Sequence, residues 1–218
     1  MEKSSFLDEK IVRMLDDVEN PTASVVTIDA SINESQIEQD AEMNTIYTGL
    51  KINGEWFDFE ERIFVDNRLA MMIPKAFVPM DIESAKIKYP HEQRPETILT
   101  DETDSINIVL SYETDPVQNE EVETVRDTMM GALRRVNPGV KPRENGVEVI
   151  SGKNIAYVEY SHPVLDGKLY NLMYFMELHG NLLIGNFNCS TKDAKYWKSI
   201  ALEMMRSIRI LSGLGNEE

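Results

Sequence analysis

The alternation of apolar and polar positions is clearest in residues 154–211, where three strand-like stretches precede one helical stretch. Residues 154–162 and 170–178 are rich in β-branched and aromatic side chains, which favour strands. Turn-forming residues separate these stretches from each other and from a third, residues 182–189. The pattern predicts an antiparallel meander, and the nearly continuous apolar run at 170–178 places that strand near the centre of a sheet.

Two further stretches repeat their apolar residues at helical spacing, so that each predicts a helix with one buried face. The first opens near Asn119 and the second near Ser190. Their predicted buried positions are Val122, Val125, Met129, Leu133 and Val136 in the first, and Trp197, Ile200, Ala201, Met204 and Ile208 in the second.

The front of the chain shows weaker signals. Residues 1–44 predict an acidic segment with one short helix, whose apolar positions are Leu7, Ile11, Met14 or Leu15, and Val18. Asn53 and Gly54 are the strongest hairpin signal in the chain, and they predict a β-hairpin extension over residues 45–66, either added to the main sheet or separate.

Together these elements predict a fold of the α/β (α+β) class. The expected architecture is an α/β/α sandwich with a central, mainly antiparallel sheet and two long covering helices, over residues 67–212.

Charge narrows the classes of partner. The net charge is −16, and residues 1–66 hold 16 acidic against 5 basic side chains, a balance of −11. Such a surface repels nucleic acid and anionic membranes, which reward clustered Lys and Arg. A protein partner with a basic surface is the electrostatically favoured one.

Other compositional features bear on location. Cys189 is the single cysteine, which excludes an intrachain disulfide and fits a reducing compartment. No run reaches the roughly 20 apolar residues of a membrane helix, and Met1 to Lys10 do not resemble a secretory signal. We therefore expect a cytoplasmic protein without membrane insertion.

Several short strings in residues 68–211 resemble the Mog/PsbP-like family. They are Ile73-Pro74 before Phe77, residues 86–90 followed by Arg94-Pro95, Trp197, and residues 207–210. The family includes a Ran-binding nuclear import factor, an extrinsic photosystem II subunit and many bacterial domains of unknown function. The resemblance implies an α/β/α fold with a central antiparallel sheet, used as a binding or assembly module. It carries over no individual site residue.

The sequence holds no grouping that predicts catalysis. Cys189 would need a base, and His179, at the far end of the same predicted hairpin, is expected to lie too far away. His162, Asp166 and Glu159, or His91 and Glu92, do not have a recurrent metal-ligand spacing. We therefore assign no catalytic, cofactor-binding or metal-binding residue and expect no cofactor.

The function that these observations favour is a non-enzymatic protein-binding adaptor or accessory protein of a bacterial cytoplasmic system. Its candidate partner surface comprises Trp56 and Phe57 in the hairpin and Leu7, Ile11 and Leu15 in the front segment. The alternative is a small-ligand-binding or hydrolytic domain with a pocket between sheet and helix. Its pocket would lie near Tyr160, His162, Tyr174 and Trp197. Self-assembly into a homo-oligomer is a third option.

Overall fold

The computed structural model describes residues 45–90, 94–164 and 167–213. The predicted front segment, with Leu7, Ile11 and Leu15, lies outside the described residues. The elements, in chain order, are β1 (Leu50–Ile52), β2 (Glu55–Phe57), β3 (Phe59–Phe64), β4 (Leu69–Pro74), β5 (Val78–Pro79), α1 (Ile82–Lys88), β6 (Thr97–Thr100), β7 (Asn107–Pro116), α2 (Val122–Val136), β8 (Lys141–Ile150), β9 (Lys153–Val164), β10 (Gly167–Leu178), β11 (Asn181–Ser190), α3 (Ala194–Arg206) and β12 (Arg209–Ile210).

Seven strands form one antiparallel sheet in the order β5-β6-β7-β11-β10-β9-β8. The predicted meander is confirmed as its largest part, because β9, β10 and β11 pair consecutively over nearly their full lengths. The last nine residues of β10 are buried, and this strand adjoins the central strand β11. A strand that is apolar at almost every position requires cover on both faces, and here it has it.

The two long helices cover opposite faces of this sheet. On one face, α2 buries Met129 and Leu133 among side chains of β9 and β10, including Phe175. On the other face, α3 buries Trp197 and Ala201 in the larger core cluster. We call these the α2 face and the α3 face.

Strands share the α3 face with the helix. A second antiparallel sheet, in the order β12-β4-β3, contributes the buried Leu69, Met71 and Ile73 of β4 to the same core cluster as Trp197. The Met72 N–H donates a 2.9 Å hydrogen bond to Ser207 Oγ, directly after α3. The second sheet is thereby tied to the end of the helix.

The Asn53-Gly54 hairpin is confirmed, and it forms a separate two-stranded sheet of β1 and β2. Both turn residues have positive φ, 50° and 89°, the conformation that Asn-Gly tolerates and that matches strand twist. Ile52 is buried in the core cluster of the α3 face, so the hairpin packs against the main sheet's core.

The expected α/β/α sandwich with two long covering helices is wrong. Strands make up 50% of the described residues and helices 21%, in three helices, so the protein is mostly β with large antiparallel sheets. The periodicity of the two long helices indicates that each covers one face of the sheet, but it does not indicate that strands share one of these faces. In the structure β3, β4 and β12 cover part of the α3 face, because the buried aliphatic residues of β4 and the partly buried Phe59, Phe64 and Ile210 beside them pack into the same core.

Candidate functional site

Trp56 and Phe57 lie on opposite sides of their strand, as neighbours in a regular strand do. Phe57 turns inward and meets the Trp197 ring edge-on, with 5.3 Å between the ring centroids. Trp56 is 53% exposed, and its Nε1 donates a 2.9 Å hydrogen bond to Asp58. Only Trp56 of this pair therefore offers a large surface to a partner, while Leu7, Ile11 and Leu15 lie outside the described residues.

The four residues named for a ligand pocket do not come together. Tyr160 belongs to the core cluster of the α2 face, and His162 stacks on it with 6.0 Å between centroids. Tyr174 and Trp197 belong to the core cluster of the α3 face. The sheet itself separates the two pairs, so they cannot line one cavity.

A row of buried polar residues crosses the α2 face beside Tyr160. Backbone register aligns Thr100, Asn107, Asn188, Asn171 and Tyr160 on five adjacent strands. Asn107 Nδ2 donates to Asn188 Oδ1 at 2.9 Å, and Asn171 Nδ2 lies 3.2 Å from Nδ1 of the neighbouring His162. Sequence reasoning missed this row because each asparagine is separated from the next by many residues, and only the register aligns them.

A second buried polar group lies on the α3 face. Glu159 is fully buried, and its Oε2 is 3.0 Å from the Lys198 ammonium of α3, which also binds Glu144 at 3.0 Å. Burial, and next the nearby Glu159 carboxylate, raises the pKa of the Tyr170 hydroxyl. Lys198 thus bridges helix and sheet over a carboxylate that has no access to solvent.

The cysteine has the environment of a structural residue. Cys189 is buried, and burial followed by the Asp193 carboxylate raises the pKa of its thiol, so the thiolate needed for nucleophilic attack is suppressed. His179 is engaged elsewhere, with Nε2 2.8 Å from the Leu211 carbonyl oxygen. Within the described ranges, no three His, Cys, Asp or Glu side chains are grouped to hold a metal ion.

The described residues enclose a groove of about 590 Å³, which we call the intersheet groove. It lies between the second sheet and the β8–β9 end of the main sheet, and its lining includes Tyr47, Met72 and Val149. Two of its lining residues, Tyr47 and Val149, are large, apolar and 68% and 74% exposed.

Two bidentate ion pairs also line the intersheet groove. Arg206 donates to both carboxylate oxygens of Glu148, at 2.8 and 2.9 Å, and Arg209 does the same to Glu61, at 2.7 and 2.8 Å. Hydrogen bonding from Arg206 lowers the pKa of Glu148, and hydrogen bonding from Arg209 lowers that of Glu61. The paired charges leave the groove wall close to neutral.

Strand β8 borders the groove and is the last strand of the main sheet among the described residues. Its Val147 and Val149 are exposed, although valine is a residue that usually faces a core. The alternation of apolar residues by itself predicts only a short strand at residues 147–150, whereas β8 runs for ten residues. The exposure of β8 could not be predicted from the sequence, because an edge strand and an inner strand can show the same alternation of apolar and polar residues.

Comparisons with known proteins bear on the fold. No family model and no curated protein matches the chain. The solution structure of cyanobacterial PsbP (CyanoP) from Synechocystis matches with a TM-score of 0.55 and 13% identity, over 70% of this chain and 92% of that one. LpqN, involved in cell envelope biogenesis of Mycobacterium tuberculosis, matches with a TM-score of 0.48 and 11% identity, over 73% of this chain and 94% of that one. A Pseudomonas aeruginosa protein of unknown function, a putative regulator, matches with a TM-score of 0.41 and 13% identity, over 68% of this chain and 94% of that one.

The likeness to CyanoP supports a PsbP-like fold, and nothing in these comparisons supports membership of a Mog family. At 13% identity the match with CyanoP concerns the fold alone, and the other two are too distant to add to it. Among the described residues, none of the helices combines the length and apolar character that a membrane span requires.

Proposed function

We propose that this chain is a non-enzymatic accessory protein that acts by binding another protein at the intersheet groove and the adjoining β8 edge. The observation that carries the proposal is the exposure of two large apolar residues, Tyr47 and Val149, among those that line this groove. Exposed apolar side chains gathered at a concave surface are typical of contact sites, whereas isolated ones are not.

The chemistry of the groove favours binding over turnover. Its acidic side chains, Glu61 and Glu148, are each held by an arginine in a bidentate pair, which keeps them ionised and fixed. A general acid or base needs a pKa near the working pH, and these carboxyls have pKa values that are lowered instead. Fixed charges around apolar side chains provide orientation and specificity in a protein contact.

Charge supports a basic partner. The chain carries a net charge of −16, so a partner with a basic surface is attracted at long range and a second copy is repelled. The proposed location is the cytoplasm of a bacterium, which is supported by the single free and buried cysteine.

The test begins with the full chain immobilised and incubated with lysate from its native cell. A stoichiometric partner is then purified, and its affinity is measured for the wild type and for Tyr47→Ser and Val149→Ser. Val136→Ser is the matched control, because Val136 is an exposed valine at the end of α2, away from the groove. We expect the two groove variants to bind at least about tenfold more weakly, since buried apolar contacts supply about 1–3 kcal/mol each, and the control to bind normally.

Two results would contradict the proposal. One is a partner whose affinity is unaffected by both groove variants. The other is the absence of any stoichiometric partner together with strong thermal stabilisation by a small metabolite, which would favour the ligand-binding alternative.

A further inference from the structure

The turn that precedes β9 fixes which backbone groups of β8 point away from the sheet. Ser151 and Gly152 form a two-residue turn with φ of 51° and 76°, so the flanking Ile150 and Lys153 are a hydrogen-bonded pair. In an antiparallel ladder such pairs alternate with pairs whose N–H and C=O groups point outward. Asn145, Val147 and Val149 therefore direct these groups away from β9.

Strand β9 confirms this alternation of hydrogen-bonded and non-hydrogen-bonded pairs. Val149 is aligned with Asn154, whose own N–H donates a 2.8 Å hydrogen bond to Asn119 Oδ1 and not to β8. Val149 is consequently in a pair that is not hydrogen-bonded across the ladder. Its N–H and C=O point to the open side of the sheet.

The same residues offer apolar side chains. Val147 and Val149 are aligned with Ala156 and Asn154, which places their side chains on the α2 face beyond the cover of α2. Both are exposed. One short stretch thus presents β-branched side chains together with backbone groups that pair with no other described strand, which is what an added strand requires.

The protective features of β8 stop before this stretch. Pro142 lacks an N–H, a bulge follows between Pro142 and Asn145, and Arg143 and Glu144 are charged. Proline, bulges and charges are the usual means by which edge strands avoid pairing. Residues 145–150 have regular pairing with β9 and a neutral outward set, Asn145, Val147 and Val149.

The other long edge differs. Directly before β3, the Asp58 carbonyl accepts a 2.8 Å hydrogen bond from the Lys75 N–H. The backbone groups of β3 that point away from β4 therefore belong to Phe59, Glu61 and Ile63. Glu61, in the middle of that edge, holds Arg209 in an ion pair. A charged pair at the centre of an edge opposes strand addition.

Charge beside β8 indicates which kind of strand would fit. The buried Arg126 of α2 donates a 3.0 Å hydrogen bond to the Gly146 carbonyl and pairs with both Glu123 and Asp127, at 3.1 and 2.7 Å. Two exposed carboxylates share one guanidinium, so the cluster keeps one negative charge next to Val147 and Val149.

We infer that residues 145–150 of β8 accept an extended segment of a basic protein as an eighth strand of the main sheet. The inference rests on the proposed function and specifies its binding mode. The added strand pairs with the backbone of Val147 and Val149, packs β-branched or aromatic side chains beside theirs, and sets Lys or Arg near Glu123 and Asp127.

A short capped peptide in which lysine and valine alternate is a suitable probe for the full chain. We expect it to slow amide hydrogen exchange at Val147 and Val149, as measured by NMR. The double variant Val147→Pro/Val149→Pro removes only outward N–H groups, which edge strands tolerate. It should bind the peptide at least about tenfold more weakly, because two hydrogen bonds are lost. The same peptide with glutamate in place of lysine should bind more weakly than the lysine form.

The matched control is Ile63→Pro, which removes an outward N–H from an exposed β-branched residue of β3. It should leave peptide binding unchanged. Thermal unfolding of each variant identifies any loss of fold, and in that case Val147→Lys/Val149→Lys, which keeps every N–H but repels a basic strand, replaces the proline variant.

Several outcomes would overturn the inference. They are unchanged exchange at Val147 and Val149, equal binding by the double variant, or loss of binding in Ile63→Pro. Slowed exchange in the protein alone, rising with its concentration, would instead identify a second copy as the occupant. A natural partner that requires Tyr47 and Val149 side chains but tolerates the double proline variant would refute strand addition and leave the proposed function intact.

Discussion

At the scale of single residues, close approach between neighbouring strands decides which substitutions the core tolerates. Gly185 on β11 is aligned with Tyr174 on β10, and a Cβ at Gly185 would lie 2.0 Å from Tyr174 Cζ. The tyrosine ring occupies the space that any other side chain would need, and both residues are buried. Gly131, in the middle of α2, has open space around the same position.

We predict that replacing these two glycines with alanine changes the free energy of unfolding in opposite directions. Gly185→Ala should lower the free energy of unfolding by roughly 3 kcal/mol or more, because the core is overpacked. Gly131→Ala should raise it by up to about 1 kcal/mol, since alanine is the better helix former. Urea titration of both variants measures the difference, and a neutral Gly185→Ala would show that Tyr174 can move aside.

The contribution of Lys198 to the free energy of unfolding is visible only in the folded structure. Replacing Lys198 with methionine leaves the fully buried Glu159 carboxylate without its cation, and we predict a loss of about 2–3 kcal/mol. Glu144→Gln removes only the exposed partner of the same lysine and should cost less than about 1 kcal/mol. Equal effects of the two substitutions, measured by chemical denaturation, would argue that Glu159 has another source of stabilisation.

The sequence predicted the buried stripes of the helices better than their ends. Val122, Met129 and Leu133 are buried as expected, but Val136 is exposed because α2 ends there, past the edge of its contact with the sheet. Spacing indicates which side of a helix is apolar. It does not indicate how far the neighbouring surface extends.

At the scale of elements, local signals found the turns and the strands, while register and layering needed the whole chain. Asn53-Gly54 predicted its hairpin because two adjacent residues tolerate positive φ. The second sheet was missed because β12 pairs with β4 across more than a hundred residues of chain. No local pattern of two residues, Arg209 and Ile210, could identify that partner.

The two hydrogen-bonded asparagines in the row of buried polar residues on the α2 face can be tested together. Asn107→Val should destabilise the protein by about 1–3 kcal/mol, because Asn188 Oδ1 loses its buried donor. Asn107→Val/Asn188→Val should recover part of that loss, since two aligned valines suit adjacent strands. A double-mutant cycle measures the coupling, and strictly additive losses would mean that the two amides do not depend on each other.

At the scale of the whole molecule, the ionisable groups predict how stability responds to pH. Burial holds the pKa of His162 below its ordinary value of 6.5, so the unfolded chain takes up more protons as the pH falls below 6.5. The pKa values of Glu61 and Glu148 lie below 4.5, so the stability they add is complete above that pH and is lost as the pH falls through the folded values.

We therefore predict that the free energy of unfolding decreases in two stages on acidification, the first beginning near pH 6.5 and the second below pH 4.5. His162→Gln should remove the first stage and leave the second. His179→Gln, at an exposed histidine, controls for the loss of an imidazole elsewhere in the chain. Denaturant titrations across this pH range measure the effect, and a first stage that persists in His162→Gln would assign it to other groups.

The open stretch of β8 also has a consequence for solubility. An unprotected edge with two valines can pair with identical edges, which is a route to uncontrolled aggregation. At neutral pH the charge of −16 keeps the copies apart. Near the isoelectric point of about 4.6 that repulsion disappears. Acidification should therefore make the edge that we propose for strand addition the site where precipitation starts.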